Sequence, residues 1–387
     1  MHTIATLNKI AAVGLERFPD DYVISDNVNL AEGILVRSHD MLDMNFSENL
    51  LAIARAGAGV NNIPVARCAD EGIVVFNTPG ANANAVKELV LSGIFLAARN
   101  LPAALEWTKT LKNNVASEVE KGKAQFAGNE IRGKTLGIIG LGYIGVGVAN
   151  TTEKLGMNVI GYDPFISVKA AHELSRKIPL VNALDEMLPK CDYISIHVPA
   201  LESTKHMIGE KQFAMMKKET CFLNFSRDSL VDDDALLAAI NSGIIKKYIT
   251  DFPNDKLIGN NGIVCLPHLG ASTDEAEELC AIMAADQLIE YLENGNIINS
   301  VNYPNCNMGP LEHSAAARRI CILNRNIAGM LTRITGIFAN MNVNISDMVN
   351  KSKGDYSYTV LDIDTDVNHD ELRKQLQFDG IIAVRIL

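Results

Sequence analysis

From Thr135 onward, short runs rich in Ile and Val alternate with amphipathic stretches, the pattern of strand and helix units that build a buried parallel sheet. The spacing predicts strands over 135–140, 158–163, 193–198, 221–225, 247–252 and 263–267, and with them a doubly wound α/β domain of the Rossmann kind. The first hundred residues repeat the alternation in miniature at 33–38, 50–57 and 72–79, which predicts a smaller, flavodoxin-like α/β domain. Helical periodicity without strand signals covers 83–111 and 272–294, each long enough to bridge two lobes. After Gly295 an Asn- and Pro-rich stretch reads as the approach to a linker. Beyond Arg319 the order strand, helix, strand, strand, helix, strand predicts a ferredoxin-like α+β sandwich. The expected domains are 1–98 with 270–303, then 99–269, a linker over 304–317, and 318–387.

A length of 387 residues fits several such domains, and 48% apolar with 21% charged residues is ordinary for a folded chain. The formal charge of -11, with no long basic run, argues against nucleic-acid or anionic-membrane partners. Seven cysteines (68, 191, 221, 265, 280, 306 and 321) lack CxxC spacing and read as reduced, buried thiols, so no metal site is expected. The N-terminus lacks a signal-peptide core and no apolar run approaches about 18 residues, so the expected location is the cytoplasm.

Gly140-Leu-Gly142-Tyr-Ile-Gly145 follows a predicted strand and opens a helix that should stop at Gly156. The first glycine permits the tight turn, the second a close backbone approach to a pyrophosphate, and the third close packing of helix on strand. Asp163, eighteen residues past Gly145 at the end of the next strand, suits the ribose hydroxyls of a dinucleotide. Its charge would repel a 2′-phosphate, so NAD is expected rather than NADP.

In an open α/β sheet, ligands bind beyond the carboxyl ends of the strands. Those ends carry the His197-Val198-Pro199 turn, Asn224 to Arg227, Asp251 to Asp255, and Pro267-His268. Oxidation of a hydroxy acid needs a base for the hydroxyl proton, which suits His268. A carboxylate, with Asp255 the first candidate and Asp251 the alternative, would orient the imidazole. Arg227 could fork onto a substrate carboxylate.

GLGYIG, YDPF, HVPALESTKHMIG, NFSRDSLVDDDAL, TDFPND and PHLGAST, in this order, resemble the D-2-hydroxyacid dehydrogenases through nearly all of residues 30–300. The resemblance implies Arg227, Asp255 and His268 as the catalytic set. It also implies that Gly140, Gly142, Tyr143, Ile144, Gly145, Asp163, His197, Val198, Pro199, Thr204, Asn224, Phe225, Ser226, Asp251 and Gly270 form the cofactor site. Two departures stand out: Asp255-Lys256 replaces the family's Glu-Pro, and Asp228 replaces the Gly after the arginine, a turn that Asp survives if a left-handed residue is required.

ARAGAGVNNI at 54–63 and the C-terminal sandwich resemble the ACT-bearing phosphoglycerate dehydrogenase branch. That likeness implies 3-phospho-D-glycerate as substrate, its carboxylate at Gly57, Gly59, Val60 and Asn61, and its phosphate at Arg55. It further implies a homodimer or homotetramer, and L-serine as an effector near Asn324, Asn326 and Asn344. Other 2-hydroxy acids, and a non-catalytic NADH-sensing protein, remain the rival readings.

Overall fold

The computed structural model describes residues 2–311 and 318–387, and the chain forms two units, Met1–Ala81 with Asp274–Leu387 and Asn82–Thr273. In the first unit, β1 (His2–Leu7), β2 (Tyr22–Ser25), β3 (Gly33–Val36), β4 (Ala52–Arg55) and β5 (Val74–Phe76) form one sheet in the order β2-β1-β3-β4-β5. All its ladders are parallel, which is the flavodoxin-like winding. β1 and β2 have no counterpart among the predicted strands. They present mixed burial, and β2 buries only Tyr22, so neither reads as a continuous apolar run.

The second unit holds β6 (Thr135–Ile139), β7 (Asn158–Tyr162), β8 (Tyr193–Ile196), β9 (Thr220–Asn224), β10 (Ile245–Thr250) and β11 (Ile263–Cys265), in the order β11-β10-β9-β8-β6-β7. A parallel bridge from Gly161 to Leu180 adds one more position outside β7. Counting it, the sheet runs 3-2-1 and then outward, the Rossmann order. Every predicted strand of this unit is present within about two residues, the boundary error usual for such readings.

The apolar pattern of 83–111 is two helices, Ala83–Ala98 and Leu101–Thr110, bent by 65°. Asn100 takes the left-handed conformation at φ 50 and Pro102 sits in the first turn of the second helix, so the chain restarts instead of continuing. Val86, Val90 and Ile94 of the first helix share a core with Leu136, Ile138 and Leu223. The units therefore divide at Asn82 and Asp274, whereas the sequence pattern places the divisions at 99 and 270. Among the described residues no single helix is long and apolar enough to cross a membrane.

The C-terminal sheet, β12 (Arg318–Arg325), β13 (Ile345–Lys353), β14 (Tyr356–Ile363) and β15 (Ile381–Ile386), is antiparallel in the ferredoxin-like order β13-β14-β12-β15. Both of its faces are covered. Ile320, Ile322 and Leu361 pack with Ile334 and Phe338 of the helix Met330–Asn340. Cys321, Leu323, Tyr358 and Val360 share a core with Leu288, Tyr291 and Leu292 of the helix Asp274–Asn294. Strand side chains alternate between faces, so the apolar run Ile320–Leu323 is what a doubly covered antiparallel strand requires.

The last carbonyls of the helix Asp274–Asn294 need donors, and this sheet supplies them. Arg385 donates to Tyr291 and Leu292 carbonyls at 3.1 and 2.9 Å, Arg319 to Asn294 at 2.9 Å, and Tyr358 to Gly295 at 2.6 Å. Arg319, 1% exposed, also forks onto Asp362 at 2.7 and 2.8 Å. Removing one partner of such a pair strands a buried charge, so Arg319→Ala is expected to cost about 3–5 kcal/mol in urea unfolding. A loss below about 1 kcal/mol, the exposed-pair range, would refute this account of the helix end.

The expected linker is well bound up to Leu311; its remainder, 312–317, lies outside the described residues. Cys306 exchanges two backbone hydrogen bonds with Ile297, and Asn302 donates to the Ile73 carbonyl and accepts from the Val75 amide. The Asn-rich composition reflects side-chain amides that replace ladder hydrogen bonds.

Candidate active site

The glycine-rich turn is built by contact. Gly140 has φ +91, and a Cβ there would lie 2.6 Å from the His197 carbonyl oxygen. A Cβ on Gly145 would lie 1.9 Å from the Gly140 oxygen, so the helix Tyr143–Lys154 can approach β6 only through glycine. A Cβ on Gly142 would meet nothing within 4 Å. Gly142 also caps the helix without any side-chain hydrogen bond, leaving first-turn N–H groups for an anion. The open side of Gly142 is thus where a pyrophosphate fits. Asp163 stands at the turn, accepting from the Leu141 and Phe165 amides, both at 2.8 Å. As expected, Gly156 ends the helix region at φ +89.

The two glycines separate packing from binding. Gly145→Ala is expected to destabilise the second unit by about 1–3 kcal/mol, as overpacking does. Gly142→Ala is expected to leave the melting temperature unchanged and to weaken NADH binding about tenfold, or ~1.4 kcal/mol. Thermal melts and NADH fluorescence titrations of both variants measure this; equal effects on stability would sink the distinction.

Because β6 to β11 are parallel, their carboxyl ends share one edge, and the strand order sets the residues along it. His268 follows β11, Asp251 to Asp255 follow β10, Arg227 follows β9 and His197 follows β8. The Asn224-Phe225-Ser226-Arg227 turn is tightly bonded. The Asn224 amide donates to the Arg227 carbonyl at 2.8 Å, the Ser226 hydroxyl to the Ile196 carbonyl at 2.8 Å, and Arg227 Nη1 to the Ser226 carbonyl at 2.6 Å. The remaining guanidinium nitrogens have no recorded partner among the described residues, so they are free to take a carboxylate. Asp228 opens a short 3-10 turn with no positive φ. The left-handed residue allowed for there is not required, which is why Asp replaces Gly without strain.

Asp251 is 1% exposed and accepts from the Gly270 amide at 3.0 Å through Oδ2. Its Oδ1 is buried without a partner among the described residues. Burial pushes its carboxyl above the usual range, while the Gly270 amide and the nearby His268 pull it back. His268 is exposed, its ring 4.7 Å from that of Phe252. Asp255 is exposed, and among the described residues neither it nor Asp251 is hydrogen-bonded to His268. Of the two acids, Asp251 is the one whose carboxyl His268 pulls down.

Other assigned residues hold the edge together. Thr204 closes the loop after His197-Val198-Pro199 by donating to the Pro199 carbonyl at 2.6 Å. Phe225 is core, packed beside Gly93, where a Cβ would approach its ring to 2.9 Å. Tyr143 is 53% exposed with the Lys169 ammonium over its ring, and Ile144 packs on the core. The residue that pattern reading did not connect to His197 is Ser195, whose hydroxyl lies 2.9 Å from Nε2. The signal was there, since i and i+2 share a strand face. Burial pushes the His197 imidazole down to about 3, so it is neutral, and its Nδ1 is buried with no partner among the described residues. Unpaired buried atoms at His197, beside the glycine turn, and at Asp251, farther along the same sheet edge, are what a polar cofactor would satisfy.

In the first unit, Arg55 wraps the 57–61 loop. Its Nε donates to the Arg37 carbonyl at 2.9 Å and its Nη1 to the Gly59 carbonyl at 2.6 Å. The Gly57 and Ala58 carbonyls accept from the Thr78 amide at 3.1 Å and the Asn77 side chain at 2.6 Å. Val60 accepts from the Ile63 amide and Asn61 is exposed. Asn324 and Asn326 line one cavity of about 180 Å³, into which Gly329 and Ser352 also face. The Asn324 amide oxygen is buried there without a partner among the described residues. Asn344 is not in that lining; it donates to Asp364 at 2.9 Å.

Residues 91–270 match the model for the D-isomer specific 2-hydroxyacid dehydrogenase NAD binding domain, and 320–381 match the AHAS small subunit-like ACT domain. D-3-phosphoglycerate dehydrogenase of Haemophilus influenzae is 32% identical over 375 residues, 92% of this chain and 86% of that protein. The Escherichia coli protein of the same name is 33% identical over 389 residues, 95% of this chain and 90% of its own. A solved NAD+-bound 3-phosphoglycerate dehydrogenase from Entamoeba histolytica aligns at TM-score 0.62 with 26% identity, over 78% of this chain and 98% of that one. Matches of this extent, on a glycine turn and strand edge built as described, mean that the chain belongs to the NAD-binding D-3-phosphoglycerate dehydrogenase family, within the D-2-hydroxyacid dehydrogenases.

Proposed function

We propose that the protein oxidises 3-phospho-D-glycerate to 3-phosphooxypyruvate with NAD, the entry step of L-serine synthesis. The observation that carries this reading is the placement of Arg227, Asp251 and His268 on one sheet edge with the open Gly142 turn. NAD, when bound, accepts the hydride from C2 of the substrate. His268 removes the C2 hydroxyl proton, its ring steadied by Phe252. Arg227 holds the substrate carboxylate and polarises the C2 oxygen through its unengaged donors. Asp251 favours the protonated imidazole as the proton arrives, and Asp255 is the alternative for that role. The buried Oδ1 of Asp251 and the N–H groups after Gly142 hold the cofactor.

The first unit supplies discrimination. Arg55 fixes the 57–61 loop and presents its charge to the phosphate, and loop amides take the carboxylate. Arg55→Gln is expected to raise KM for 3-phosphoglycerate by about 10- to 100-fold, as loss of a charge-assisted contact does. KM for an unphosphorylated 2-hydroxy acid should be unchanged; equal losses for both would assign Arg55 to loop structure alone.

The Asn324 cavity is assigned to a small polar effector, L-serine, with the unpaired amide oxygen receiving its ammonium. Assembly into a homodimer or homotetramer is supported by the helices Leu101–Thr110 and Val115–Gly122, which bury no residue within the chain. A cytoplasmic location is supported by seven free cysteines, of which burial pushes Cys68 and Cys191 up to about 12.

A further inference from the structure

A second polar pocket lies in the first unit, sharing Ser352 with the Asn324 cavity and lined by none of residues 55–61. It has a volume of about 460 Å³ and is lined by Asn77, Asn299, Ser300, Asn305, Lys351 and Lys353 among others. Lys351 and Lys353 are two residues apart on β13, so both lie on one face of the strand. Among the described residues no carboxylate lines the pocket, and neither lysine is in an ion pair. That is unusual in a chain of net charge -11, where acids outnumber bases. The Lys353 ammonium is held at the rim by donation to the Ser300 carbonyl at 3.0 Å, and its partial burial lowers its pKa. Asn299, at φ 60, is pinned by the Asn305 side chain, which accepts from its amide at 2.9 Å. Two uncompensated ammonium groups facing side-chain amides form a site for an anion.

We propose that this pocket binds a small phosphate- or carboxylate-bearing metabolite and reports its presence to the 57–61 loop. The path is short: Asn77 lines the pocket, its side chain donates to the Ala58 carbonyl at 2.6 Å, and the next residue, Thr78, donates to the Gly57 carbonyl. An anion that draws Lys351 and Lys353 together changes the setting of Asn77, and with it the loop. The second half of the proposal rests on the substrate role assigned to that loop; the binding itself does not.

The test uses the full chain and inorganic phosphate, with citrate as the carboxylate arm, at constant ionic strength. Titrations by calorimetry and thermal shift compare Arg55→Gln, which removes the competing phosphate site, with the same protein also carrying Lys351→Gln and Lys353→Met. Saturable binding in the first, weakened about tenfold or more in the second, is expected, as for loss of charge-assisted contacts. Lys353→Arg should retain it and guards against a folding artefact. The stronger of the two anions identifies the ligand class. Equal binding with and without the lysines, or no saturable binding of either anion, overturns the site. If binding holds but phosphate leaves KM of the Lys-intact enzyme unchanged, the coupling to the loop is wrong and the site stands.

Discussion

His268→Gln is expected to lower kcat by about 10²- to 10⁴-fold, the contribution of a positioned general base. The cofactor should still bind, because the glycine turn and Asp163 do not involve the imidazole. Glutamine keeps the shape and a hydrogen-bonding head but cannot take a proton. Stability should hold as well, since the ring is exposed and its recorded contact is with Phe252. The measurement is single-turnover NADH formation beside an NADH titration of the same variant. A kcat within about threefold of the parent protein, below any general-base contribution, would remove His268 from the chemistry.

Arg227→Leu is expected to cost about 10²- to 10³-fold in kcat/KM, since truncating one member of a hydrogen-bonded charge pair costs about 2–5 kcal/mol. The loss should divide between KM and kcat. Arg227 holds the carboxylate before and during the reaction, and it also polarises the oxygen on which charge develops. Arg227→Lys should recover only part of the loss, because a point charge lacks the fork. One guanidinium nitrogen is committed to the Ser226 carbonyl at 2.6 Å, so a small stability change is expected in all variants. Full recovery by lysine would mean that charge alone matters and that no forked contact exists.

How much of this was legible in the chain depended on where the physical signal lay. The central strands of the second unit, β6, β8 and β9, are buried on both faces, so their apolar runs stand out against their flanks. The glycine turn was legible because each glycine answers a local need of backbone or packing. β1 and β2 were not, because their half-exposed residues take their pairing from a sheet assembled by distant segments. The bend at Asn100 was hidden by an apolar pattern that runs through it, although Asn100-Leu101-Pro102 carried the stop. Nothing in the pattern singles out Arg319 and Arg385. Their roles follow from helix-end carbonyls and Asp362, partners remote in sequence.

The site followed the same division. Residues at strand ends could be collected from the pattern because parallel strands place them on one edge. Their orientations could not. Asp251 and Asp255 are four residues apart, yet one is buried against Gly270 and the other is exposed. Asn344 lies near Asn324 in pattern but pairs with Asp364 instead of joining the cavity. Phe225 sits among cofactor candidates in sequence and in the core in space.

The central claim is that this chain removes hydride from a phosphorylated 2-hydroxy acid. Steady-state NADH formation with NAD and 3-phospho-D-glycerate, beside D-glycerate, D-lactate and 2-hydroxyglutarate at equal concentration, tests it most directly. The account predicts turnover with 3-phosphoglycerate and a kcat/KM at least about 10²-fold lower for every unphosphorylated acid, the worth of one charge-assisted contact set. Equal or greater kcat/KM for an acid without phosphate would contradict it.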